Sequence, residues 1–184
     1  NKDYENFDLA LSQAKKWRWK SVKIISQKIE NEDARNILNW IRHYNGADDL
    51  TFTDYKDFLN NNSYWPLIDS IKIKTENKIS FSDDHDELIN YFKDQKPLTG
   101  WGKIYYGNSL LKKGNNALAE LLIKEGYISG SFTRNEQKII INKFKNFLTQ
   151  EDHKKRINQL LWNGKYGTAR SLVKYVEKDY QKLF

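Results

Sequence analysis

Apolar residues in this chain return every three or four positions and almost never every two. Ala34, Ile37, Leu38, Ile41 and Tyr44 mark one face of an amphipathic helix. The same period recurs in Phe52, Tyr55, Phe58 and Leu59, in Leu88, Ile89 and Phe92, in Ile140, Phe144, Phe147 and Leu148, and in Ile157, Leu160 and Leu161. No run alternates with the period of two that a half-buried strand requires. Pro occurs only at Pro66 and Pro97 in 184 residues, which leaves long helices uninterrupted. The expected fold is all-α, without a sheet.

Local signals place the helix boundaries. Thr133 with Glu136 in "TRNE" makes a capping box, and Thr149 with Asp152 in "TQED" a looser one. Pro66 in "SYWPLID" suits the first turn of a helix, where its missing N–H has no intrahelical partner. The acidic run "SDDHDE" at 82–87 suits a helix amino terminus, which favours negative charge. These signals and the apolar period predict helices at about 5–14, 18–29, 32–45, 53–61, 66–76, 84–94, 100–113, 116–126, 134–147 and 150–163, with another from 166 onward. Short connections such as "KKGN" and "WNGK" imply antiparallel neighbours.

Two of these hairpins echo each other. "LLKKGNNALAELL" at 110–122 and "LLWNGKYGTARSL" at 160–172 share Leu110/Leu160, Leu111/Leu161, Gly114/Gly164, Ala119/Ala169 and Leu122/Leu172. A Gly can take the positive φ that ends the first helix, and a small Ala lets the second approach closely. Trp19, Val22 and Ile25 repeat the spacing of Tyr166, Ala169 and Leu172, a weaker third echo. The echo fits either a true repeat or the general likeness of leucine-rich hairpins. Stacked hairpins follow in both cases.

Composition limits the function classes. With 39% hydrophobic and 14% aromatic residues the chain carries enough apolar surface to fold. No run approaches the roughly 20 apolar residues that span a bilayer. The chain begins without Met, so upstream sequence is expected. Zero Cys removes disulfides, thiolate catalysis and Cys-based zinc sites. His43, His85 and His153 stand far apart with no HExxH, and no metal or cofactor is expected. Gly100 and Gly102 in "TGWGKIYYG" resemble a dinucleotide fingerprint, but no strand precedes them and Tyr105 stands where the third Gly belongs. They read better as a flexible helix entry. Asp83, Asp84, Asp86 and Glu87 lack calcium-loop spacing and read as a solvated helix start.

The net charge of +7, from 31 Lys+Arg against 24 Asp+Glu, favours acidic partners. It concentrates in "KKWRWKSVK", where Lys15, Lys16, Arg18, Lys20 and Lys23 surround Trp17 and Trp19. Cations interleaved with aromatics suit stacking on bases or sugars. The competing reading puts one Trp in the hairpin core and leaves the lysines a solvated face. Trp101, beside its glycines, is open to the same choice between core packing and a sugar platform. The candidate substrate-binding residues are Lys15, Lys16, Arg18, Trp19, Lys20 and Trp101.

From about Asp83 onward the order of features resembles one family. "PLTGWGK", "LLKKGNNALAELL", the F-T-x-x-E at 132–136 and "LTQEDHKKRINQLLWNGKYGTARSL", with "NWIRHY" and Trp65-Pro66 upstream, are similar to the amino-terminal superhelical region of soluble lytic murein transglycosylases. The resemblance covers most of the chain. It implies a single domain over 1–184, a right-handed α-superhelix of stacked antiparallel hairpins of tetratricopeptide-like kind, within a longer chain. A lysozyme-like catalytic domain would follow residue 184. The parent enzyme would cleave the MurNAc–GlcNAc bond of peptidoglycan in the bacterial periplasm and leave a 1,6-anhydro end. The family's catalytic Glu lies in a Glu-Ser pair, and this sequence has no Glu followed by Ser. No catalytic residue is therefore assigned. The implied partners are peptidoglycan glycan strands and the catalytic domain of the same protein.

Two other readings stay open on the residues alone. The hairpins suffice for a protein-binding scaffold. The basic charge would also suit nucleic acid, although no recognised nucleic-acid motif is present and no such partner is expected.

Overall fold

The computed structural model describes residues 2–182, with Asn1, Leu183 and Phe184 outside them. All regular structure among the described residues is helical: twelve α-helices, one short 3-10 helix and no strand. The helices group into two compact units, Asn1–Lys78 and Ile79–Phe184.

The first unit holds α1 (Lys2–Lys15), α2 (Trp19–Ser26), α3 (Glu32–Asn45), α4 (Phe52–Asn61) and α5 (Ile68–Glu76). Neighbours in sequence pack against one another, and α3 also reaches α1 and α5. The predicted stripe of α4, Phe52, Tyr55, Phe58 and Leu59, is buried throughout, whereas in α3 only Leu38 is fully buried and Ile37 is exposed, because the inward face also carries Arg42 and His43. Local chemistry sets the boundaries. Asn31 caps α3 by accepting the Ala34 N–H at 2.9 Å, and Gly46 ends it with φ 76°. Thr51 and Asp54 form a reciprocal capping box on α4. The Asp3 carboxylate accepts from the backbone N–H groups of Glu30 and Asn31 at 3.0 and 2.8 Å, tying α1 to the start of α3.

The expectation that Pro66 opens α5 is corrected. The helix begins at Ile68, and Leu67 turns the chain with φ 58°, a left-handed conformation that cannot continue a helix. Pro66 lies in the turn before it, where its carbonyl accepts the Trp40 indole N–H at 3.0 Å.

The second unit holds α6 (His85–Lys93), α7 (Gly100–Lys112), α8 (Asn116–Ser129), α9 (Arg134–Phe144), α10 (Gln150–Trp162), α11 (Tyr166–Arg170), the 3-10 helix Val173–Tyr175 and α12 (Lys178–Gln181). Its core joins Ile104, Ile123, Tyr127, Phe132, Ile140, Phe144, Ile157 and Leu172. Both capping boxes read from the sequence are present, Thr133 with Glu136 and Thr149 with Asp152. Asp84 starts α6 by accepting the Glu87 N–H at 2.8 Å.

Gly100 does open α7, but contact rather than flexibility accounts for it. A Cβ there would lie 2.4 Å from Gly130 Cα, and one on Gly126 would lie 2.6 Å from the Gly100 carbonyl. A Cβ on Gly107 would meet the Ala119 carbonyl at 2.9 Å. The backbones of α7 and α8 therefore touch where side chains would hold them apart. The expected helix from 166 onward is broken into three short pieces. Gly167 weakens the first, and the extended backbone at Val176 (φ −117°, ψ 164°) interrupts the run before α12.

Candidate functional site

Three hairpins are closed by one and the same turn. In it the chain takes a single left-handed residue: Trp17 between α1 and α2 (φ 57°), Gly114 between α7 and α8 (φ 83°), and Gly164 between α10 and α11 (φ 69°). The next residue follows suit each time, with Arg18 at φ −90°, ψ 65°, Asn115 at −85°, 73° and Lys165 at −90°, 54°. The hydrogen bonds match as well. Arg18, Asn115 and Lys165 donate their N–H five residues back, to the carbonyls of Gln13, Leu110 and Leu160, at 3.1, 2.9 and 2.8 Å. This bond satisfies a carbonyl that the helix end would otherwise strand. Five residues after the left-handed position stand Val22, Ala119 and Ala169, each fully buried.

The α1–α2 copy differs in one respect, since a Trp occupies the position that Gly holds in the other two. An L residue in this conformation brings its Cβ against the following carbonyl, at a cost of roughly 1–2 kcal/mol. Trp17 gains little burial in return, because it is 65% exposed. Trp19 is the tryptophan that enters the core, at 4% exposure, and it meets the Trp17 ring edge-on at 5.5 Å. The exposed platform in this stretch is thus Trp17 and not the candidate Trp19.

Trp17 and Trp19 line a hollow of about 280 Å³ whose other walls are Leu11, Ala14, Lys15, Ile41 and Asn45. Lys15, Lys16, Arg18 and Lys20 are all exposed around the turn. Among the described residues none of the four enters an ion pair, so their charge is free to act outward. The structure thus brings five residues of the basic stretch to one turn: an indole face, an apolar recess beside it and four cations. The candidates read from the sequence include Trp19 and leave out Trp17. Yet the register that matches Trp19 with Tyr166 already sets Trp17 against Gly164.

Trp101 lies in the second unit, half-buried within an aromatic cluster. Its ring stacks on Tyr105 at 5.1 Å, meets Phe132 edge-on at 5.2 Å, and donates its N–H to Glu136 at 3.2 Å. Both its polar atom and one face are engaged by the protein.

The histidines are each held by other chemistry. His43 faces the carbonyl of Asn39 at 2.8 Å, His85 lies 3.2 Å from the Ser109 hydroxyl, and His153 shares a hydrogen bond with the Tyr127 hydroxyl at 2.8 Å. Among the described residues no group of three or more His, Cys, Asp or Glu side chains is placed to hold a metal ion. No helix among them is long and apolar enough to cross a membrane. Searches against protein-family models, curated proteins and solved structures yield no match to this chain.

Proposed function

We propose that this chain is a non-catalytic helical domain that holds or guides murein glycan strands. It would serve a lytic transglycosylase whose lysozyme-like catalytic domain cleaves the MurNAc–GlcNAc bond in the periplasm. In this reading the hairpins stack as a right-handed, tetratricopeptide-like superhelix. The observation that carries it is Trp17, an exposed indole kept in a strained turn where the sister turns have Gly. Strain retained without burial points to a role outside folding. An indole face suits the apolar face of a sugar ring, while Lys15, Lys16, Arg18 and Lys20 suit the carboxylates of the stem peptides. No residue of this chain is assigned a chemical step.

The test is co-sedimentation of the chain with purified peptidoglycan at low and moderate salt. The chain is expected to pellet, less so as salt screens its cations. Trp17→Ala and the combined Lys15, Lys16, Arg18 and Lys20→Ala variant should each release it. Full retention by both variants would remove the site from consideration, and release of anhydro-sugars would assign catalysis to the chain itself.

A protein-docking scaffold is the second reading, favoured by Trp162 at 89% and Tyr166 at 68% exposure beside the third turn. Absence of peptidoglycan binding, with a partner protein lost on Trp162→Ala, would favour it.

A further inference from the structure

The second unit holds another cleft, between α9 and the segment 171–175, with a volume of about 170 Å³. Arg134, Lys138 and Lys174 line it, and no acidic side chain does. None of the three cations makes an ion pair among the described residues. The carboxylate in the first turn of α9, Glu136, is committed to the Thr133 N–H at 2.7 Å and to Trp101.

The floor is built rather than incidental. Gln137 is 2% exposed and also lines the cleft. Its carbonyl oxygen accepts from Arg156 Nε at 3.2 Å, which leaves its amide N–H₂ as the group to offer a ligand. Arg156 is itself 1% exposed and has no carboxylate partner among the described residues. It donates to the carbonyls of Ile128 and Gly130 and lies over the rings of Tyr127 and Phe132. A buried guanidinium held by neutral groups keeps its charge uncompensated, and that charge is weakly screened. Four cations thus converge on one small recess, three at its rim and one behind its floor. Ile141, Leu172 and the ring of Tyr175 supply the apolar remainder.

We propose that this cleft binds an organic carboxylate with a small apolar group attached, such as the terminal residue of a short peptide. The Arg134 guanidinium offers a planar fork for the carboxylate, and Lys138, Lys174 and the Gln137 amide complete its donors. The apolar wall takes the attached group, which inorganic phosphate lacks. The assignment stands on the lining of the cleft. Only its attribution to peptidoglycan stem peptides rests on the glycan reading.

The probe is N-acetyl-alanine, titrated into the full 184-residue chain and followed by NMR at the Gln137 side-chain amide and the Arg134 Nε–H, with inorganic phosphate in parallel. Saturable shifts at both groups are expected. Lys138→Glu with Lys174→Glu should weaken binding by at least about tenfold. Lys145→Glu with Lys155→Glu, the same charge change at other exposed positions, should leave it within about twofold. No saturable shift, equal binding by the cleft variant, or binding of phosphate alone would each overturn the assignment. A chain that binds N-acetyl-alanine but does not pellet with peptidoglycan keeps this site and loses the glycan reading.

Discussion

Trp17 and Gly164 hold the same left-handed position in their respective turns, at φ 57° and 69°, and only the Gly does so without strain. Trp17→Gly relieves roughly 1–2 kcal/mol of backbone strain and gives up the edge contact with Trp19, about 0.5–1.5 kcal/mol. The two effects nearly cancel. Urea denaturation should therefore place the variant within about 1 kcal/mol of the parent, while its retention on peptidoglycan falls. A loss above about 2 kcal/mol would make Trp17 a structural residue and remove the argument from strain.

Gly107 and Gly114 are demanded for different reasons, and alanine separates them. At Gly107 the added Cβ meets the Ala119 carbonyl and Ile123, so α7 and α8 must part, at about 1–3 kcal/mol. At Gly114 nothing lies within 4 Å, and only the backbone conformation resists, at about 1 kcal/mol. Calorimetry should show Gly107→Ala melting lower than Gly114→Ala. The reverse order would mean that the two helices have slack the structure does not show.

What could be read from the sequence was what acts over a few residues. Thr133 with Glu136 and Thr149 with Asp152 close their boxes across three positions, and the stripe from Ala34 to Tyr44 follows from helix geometry alone. The features that escaped join distant segments. Gly126 is small because Gly100 lies against it, twenty-six positions away, and Leu67 turns left-handed although Pro66 is the residue that looks special. The basic stretch stands out in the sequence as a candidate site, but which of its two tryptophans is buried depends on the packing of the hairpin, and it is Trp19 that goes inside. The cleft beneath Arg134 gave no linear signal, since its cations come from α9 and from the segment after α11.

Arg156 acts as a buried strap from α10 to the α8–α9 connection, with Nη1 donating to the Gly130 carbonyl at 2.6 Å. Arg156→Met fills much of the same volume but strands the carbonyls of Ile128 and Gly130 and the Gln137 oxygen. We expect a loss of about 3 kcal/mol in chemical denaturation, with helix content retained at low denaturant. Arg156→Lys should fall between the two, because one ammonium cannot span all three acceptors. A methionine variant as stable as the parent would show that the strap contributes nothing net.

Two buried histidines should make the fold sensitive to mild acid. Burial lowers the pKa of His43 and of His153 from the usual 6.5, against hydrogen bonds to the Asn39 and Asp54 carbonyls at His43 and the charge of Asp152 at His153. The unfolded chain then takes up protons more readily than the folded one. As pH falls through about 6.5 toward the lower folded values, stability is lost, and above that window it is fully present. Urea midpoints measured between pH 7.5 and 5 should drop. His153→Phe keeps the stacking against Tyr175 but cannot titrate, so its midpoint should start lower, with the Tyr127 hydroxyl unpaired, and fall less steeply. If the variant and the parent lose stability in parallel across that range, His153 is not one of the groups that couple folding to pH.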